Sequence, residues 1–99
     1  MSKPPLTVIA RAKAKEEKVR HVKEVLQDLV GPTRKEPGCV SYVLYQSTDD
    51  VCSFVFVETW SDQAALDKHL QTPHLKAFVA QADDLLAKPL DVTLWHEIA

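Results

Sequence analysis

The sequence predicts an α+β domain: an antiparallel sheet of four strands with its helices on one face, in the order β-α-β-β-α-β. Three observations carry this. "CVSYVLYQ" (39–46) and "VCSFVFVETW" (51–60) are rich in Val, Tyr and Phe and are separated only by the turn-forming "STDD". Stretches of helical periodicity lie before and after this pair. Strand-like segments open and close the chain.

"LTVIARA" (6–12) follows two prolines and reads as the first strand. In "KEEKVRHVKEVLQDLV", Val19, Val22, Leu26 and Leu29 follow the 3, 4, 3 spacing of one helix face, with Val25 and Val30 beside them. Gly31-Pro32 is expected to stop this helix, and Pro37-Gly38 to make a turn. The two central segments form a hairpin. A turn centred near Asp49 makes paired residue numbers sum to about 98. Cys39 then lies near Thr59 and Cys52 near Gln46, beyond disulfide reach of each other. Ser61 is placed to N-cap a helix beginning at Asp62 and running "DQAALDKHLQ". Thr72-Pro73 is a fresh N-cap and first-turn pair opening "PHLKAFVAQADDLLAK". Pro89 ends that piece, and "LDVTLWHEI" (90–98) alternates as the last strand. This order is the ferredoxin-like split β-α-β pattern. With 99 residues, 1–99 is expected to be a single domain.

Composition is 45% hydrophobic and 26% charged with a net charge of -2, an ordinary globular balance. The charge is uneven: residues 1–38 hold nine Lys/Arg against five Asp/Glu, and residues 39–99 hold three against nine. Most of the early basic residues fall in "RAKAKEEKVRHVKEV", read as a solvated helix face with pairs such as Lys13–Glu17 and Arg20–Glu24. No aromatic residue interleaves with them, so no nucleic-acid partner is expected. Pro4 and Pro5 interrupt any leader-like segment, and no apolar run approaches membrane length. The expectation is a cytoplasmic protein, not membrane-bound, with two free thiols.

Both faces of the central strands are apolar. Val51, Val55 and Val57 share one face of the second, while Phe54, Phe56 and Trp60 share the other. An antiparallel strand with one solvated face should alternate apolar with polar. Two helices cover only one side of a four-stranded sheet. The other side therefore calls for a partner sheet, in a homodimer with sheets face to face, a dimeric α/β barrel.

Candidate chemistry narrows by elimination. His69 and His74 are five apart, not the i,i+4 of a helical metal pair, and no Cys-x-x-Cys is present, so no metal is expected. No Gly-x-Ser-x-Gly occurs, and Gly31 and Gly38 are too few for a phosphate-cradling loop. His69, four after Ala65 and three after Leu66, faces the sheet. It either packs there with a hydrogen bond or works in a pocket. His74 is the second residue of a helix segment, where the dipole disfavours a charged imidazole, so it is expected to be neutral with one hydrogen bond. Glu58 and Trp60 share a strand face. The carboxyl is either buried with a raised pKa or solvated at the sheet edge.

"LTVIA", "EPGCVSY", "ETWSDQAALDKHLQTPHLKAF" and the closing strand together resemble the antibiotic biosynthesis monooxygenase domain family, and "HLQTPHLKAF" is similar to its quinol monooxygenase-type members. The resemblance implies a ferredoxin-like protomer, a dimer built through the sheets and a pocket between sheet and helices. It also implies oxidation of a quinol or similar small aromatic by O2 without metal, flavin or other cofactor. Members with defined oxygenase chemistry use a pocket asparagine, and this chain has none. The helix position of the iron-ligating histidine in haem-degrading members falls near Val79, and their tryptophan at His69, so haem degradation is not implied.

Oxygenation without a cofactor needs a deprotonated substrate, hence a base, a donor for the anion and apolar walls. His69 is the expected base or donor, with Glu58 the second catalytic group. Trp60, Phe56 and Phe78 are expected as walls, Tyr42 as a group orienting a hydroxyl, and His74 among the binding residues. Two other readings stay open: a dimeric binding or sensing module, and an isomerase of a small carbonyl compound. Only Lys68, Lys76 and Lys88 are basic in the second half, which argues against a phosphorylated sugar.

Overall fold

The computed structural model describes residues 4–99. Its elements run β1 (Leu6–Lys13), one 3-10 turn (Glu16–Lys18), α1 (Val19–Arg34), β2 (Cys39–Gln46), β3 (Ser53–Trp60), α2 (Gln63–His69), α3 (Pro73–Leu85) and β4 (Asp91–Trp95). All pairings are antiparallel, in the order β2-β3-β1-β4. This is the ferredoxin-like α+β arrangement the sequence predicts.

Alternation sorts the strands. Leu6, Val8, Ala10 and Ala12 of β1 and Phe54, Phe56, Glu58 and Trp60 of β3 are buried on the helix side. Val22 and Leu26 of α1 are wholly buried against them. Burying such a side chain contributes about 1.5–3 kcal/mol. In the hairpin Tyr42 pairs with Glu58 and Leu44 with Phe56. A bulge between Cys39 and Ser41 brings Cys39 opposite Trp60. Both cysteines are free.

Five local expectations need correction. The second central strand starts at Ser53, not Val51, because Val51 and Cys52 belong to a turn in which Asp50 accepts from Cys52 N–H at its carboxylate and from Ser53 N–H at its carbonyl, each at 3.0 Å. α1 runs through Gly31-Pro32 to Arg34. Proline removes one backbone donor in the last turn, but that turn is anchored otherwise. Thr33 is fully buried, Lys35 N–H donates to the Pro32 carbonyl at 3.2 Å and Glu36 N–H to the Thr33 carbonyl at 3.0 Å, and Arg34 Nε donates to the Tyr42 carbonyl at 3.0 Å. The N-cap of α2 is Asp62, not Ser61; its carboxylate accepts from Ala65 N–H at 2.9 Å. Asp62 is extended at φ -165, as an N-cap must be, so the helix starts one residue later. Lys13 ends β1 and pairs with Asp50 rather than Glu17, because no helix reaches position 13. β4 runs only from Asp91 to Trp95, where its pairing with Arg11 to Thr7 of β1 ends.

Gly38 sets the approach to the site. Its φ is +83, and a Cβ there would lie 2.5 Å from Ala65 Cβ and 2.7 Å from Ser61 Oγ. Only glycine suits both the left-handed backbone and this contact. The turn before β2 thereby lies directly on the start of α2, with Ser61 N–H donating to the Gly38 carbonyl at 2.8 Å.

The sheet face away from the helices has no cover among the described residues. Val57 is 36%, Tyr45 53% and Trp95 52% exposed. No helix among the described residues is long and apolar enough to cross a membrane.

Candidate functional site

The Thr72-Pro73 break is what assembles the site. Thr72 Oγ1 donates to the His69 carbonyl at 2.8 Å, closing α2, and accepts from Leu75 N–H at 3.4 Å, opening α3. In one straight helix, residues five apart would point well away from each other. Across this kink the rings of His69 and His74 lie 6.2 Å apart, centroid to centroid.

Both rings converge on Glu36. One carboxylate oxygen, Oε2, lies 2.9 Å from His69 Nδ1 and 2.7 Å from His74 Nε2. A carboxylate only accepts, so both ring nitrogens are assigned as N–H donors. Glu36 is held in the turn by its own N–H to the Thr33 carbonyl at 3.0 Å and by Cys39 N–H donating to its carbonyl at 3.1 Å. Its side chain is 10% exposed, against 3% for His69 and 24% for His74. With Nδ1 committed to Glu36, His69 Nε2 is left as the acceptor, and it makes no hydrogen bond to the described residues.

His69 is also a wall of a cavity of about 50 Å³ between sheet and helices. Phe56, Tyr42 and Val8 line its sheet side, and Leu66, Leu75 and Phe78 its helix side. Leu70 and Val92, each about half exposed, mark its mouth. Among the described residues the only other polar walls are Tyr42 and Glu58, and no Lys or Arg contributes.

Glu58 is 4% exposed, which decides between the two readings of its sequence position in favour of burial. Burial pushes its carboxyl up to about 7, with the Glu36 charge adding to the rise and the Trp60 N–H opposing it. Trp60 Nε1 donates to Glu58 Oε1 at 2.9 Å. Burial also raises the Tyr42 hydroxyl above its usual range, keeping it a neutral donor. The Tyr42 ring stacks on Phe56 at 4.7 Å and meets His69 edge-on at 5.7 Å.

The sequence-expected residues divide into two groups. His69, Glu58, Tyr42, Phe56 and Phe78 come together around the cavity. Trp60 and His74 stand behind it. Trp60 is fully buried and tilted against the His69 ring at 4.7 Å, so it backs the imidazole rather than lining the cavity. His74 reaches Glu36 instead. Sequence reasoning missed Glu36, which it left in a connecting turn. The position lies 33 residues from His69, and no periodicity links them. The one signal was its place in "EPGCVSY", two before the glycine that the packing requires.

A family model described as antibiotic biosynthesis monooxygenase matches residues 5–81. An uncharacterised protein of Synechocystis, sll1783, is 40% identical over 91 residues, covering 92% of this chain and 62% of its own. The chain thus spans less than two thirds of that relative's length. The Escherichia coli protein named "Probable quinol monooxygenase YgiN" is 36% identical over 74% of this chain and 80% of its own. Among solved structures, PA3566 from Pseudomonas aeruginosa superimposes with a TM-score of 0.94 at 32% identity, covering 100% of this chain and 99% of its own.

Proposed function

The chain belongs to the antibiotic biosynthesis monooxygenase family, and on that premise we propose that it oxygenates a quinol or similar small aromatic with O2, the chemistry needing no cofactor. The observation that carries this reading is an imidazole on the wall of an apolar cavity whose Nδ1–H is held by a largely buried carboxylate and whose Nε2 has no partner among the described residues. That pairing fixes the tautomer a general base needs.

In the proposed reaction His69 Nε2 takes a proton from one quinol hydroxyl, and Glu36 stabilises the imidazolium through Nδ1–H. Tyr42 donates to the resulting phenolate. The electron-rich anion passes one electron to O2, and the semiquinone and superoxide combine at a ring carbon. The ring peroxide then loses water, with Glu58 able to supply the proton because its pKa lies near neutrality. One oxygen atom stays on the ring as hydroxyquinone and the other leaves as water. The substrate supplies all the electrons, so no further reductant is needed. Walls without Lys or Arg favour a neutral aromatic over a phosphorylated substrate. YgiN's name supports a quinol for a relative of 36% identity. The apolar face of the sheet supports a homodimer as the working form.

The test is turnover of a menadiol-like quinol followed by absorbance, under oxygen and under nitrogen. Turnover is expected only with oxygen, and His69→Ala should lower it by about 100-fold or more. Equal rates in His69→Ala and the wild type would overturn the assignment of the base.

A further inference from the structure

We infer that Glu36, His69 and His74 form a binding site for a divalent transition-metal ion, with Zn2+ as the reference ion. His69 Nδ1, His74 Nε2 and a Glu36 carboxylate oxygen all lie within 4.8 Å of one another. Two imidazoles and one carboxylate suit Zn2+, Co2+ or Ni2+ rather than the all-oxygen preferences of Mg2+ and Ca2+.

The donors come from three separately anchored places. Glu36 sits in the turn that Gly38 presses against α2. His69 is backed by the buried Trp60 ring. His74 follows directly on the Thr72 cap and Pro73. Around a tetrahedral ion with bonds of about 2.0–2.2 Å, donors stand about 3.3 Å apart. Oε2 now lies 2.9 and 2.7 Å from the two nitrogens. The carboxylate therefore has to draw back by about half an ångström, a movement that glutamate's three side-chain torsions allow. Glu36 Oε1 has no hydrogen-bond partner among the described residues, so it is free to join as a second ligand atom. Neither Glu36 nor His74 lines the cavity. An ion would enter from the His74 side, which is partly exposed, and water would complete its shell.

Occupancy has a chemical consequence, which rests on the reading of His69 as base. Metal at Nδ1 leaves the remaining ring proton on Nε2, the nitrogen that makes no hydrogen bond to the described residues. The acceptor becomes a donor, so the ion acts as an inhibitor of proton abstraction rather than as a cofactor.

The experiment titrates tag-free protein with Zn2+ by calorimetry and with Co2+ by visible absorption, beside the quinol assay. One ion per chain is expected, with intense tetrahedral-type Co2+ bands that Zn2+ displaces. Glu36→Gln and His74→Gln should each weaken binding at least about tenfold, while His21→Ala and His96→Ala, on exposed histidines elsewhere, leave it unchanged. Circular dichroism verifies that each variant is folded. Absence of saturable binding, or binding that survives both Glu36→Gln and His74→Gln, overturns the site. Turnover that falls as the site fills supports both the site and the base. Binding with turnover unchanged keeps the site and removes His69 as the base.

Discussion

On the helix side of the sheet, Tyr42, Phe54 and Phe56 are at most 4% exposed, while on the other side Val57, Tyr45 and Trp95 are 36–53% exposed. Tyr45 and Val57 alternate with Tyr42, Phe54 and Phe56 along β2 and β3, Trp95 lies on β4, and the two sets are similarly apolar. The difference teaches that hydrophobicity alone does not choose a face. The helices decide it, and with them the side on which the cavity forms. Chemistry segregates the same way: Glu58 and His69, both buried, lie on the covered side.

Adjacent residues of β3 test this contrast most severely. Phe56→Ala removes a ring from beneath the helices and should cost about 3–5 kcal/mol of unfolding free energy, measured by urea denaturation. Equal losses from Phe56→Ala and Val57→Ala would erase the distinction between the faces.

Glu58 sharpens the comparison from the covered side. Its folded pKa of about 7 lies above the ordinary 4.5, so the folded state holds the proton more tightly than the unfolded one. Its contribution is fully favourable below about pH 4.5, declines as pH rises toward about 7, and is flat above. Glu58→Gln keeps an acceptor for Trp60 and cannot ionise. It should be more stable than the wild type by up to about 3 kcal/mol at pH ~8, and indistinguishable at pH ~4. Parallel stability profiles of the two proteins between these pH values would mean that Glu58 is solvated.

The smallest effect on protomer stability is expected on the open face. Val57→Lys should change it by less than about 0.5 kcal/mol yet shift the mass in light scattering from that of the proposed homodimer to that of a monomer, because a lysine ammonium would be buried against the proposed partner sheet. A wild type that is already monomeric at micromolar concentration overturns the dimer.

Much of the fold was legible in the residues. The strand pair, found at 39–46 and 53–60, the Thr72-Pro73 restart and the inner face of α1 all come from local patterns, period two or 3.6, that side-chain burial imposes directly. Boundaries were less legible. Pro32 stays helical because Thr33 and Arg34 are tied to β2 and the core, a tertiary effect that outweighs local propensity.

The cavity residues were legible because they share strand and helix faces: His69 follows Ala65 and Leu66, and Glu58 follows Phe54 and Phe56. Glu36 was not, since its role depends on a turn meeting a helix kink 33 residues away. The sequence by itself determined the element order, the two apolar sheet faces and the kink between His69 and His74. Only the tertiary structure decided which sheet face the helices cover, that Trp60 backs His69 instead of lining the cavity, and that both imidazoles share one carboxylate. Periodicity acts between neighbours in the chain, whereas hydrogen bonding and burial act between neighbours in space.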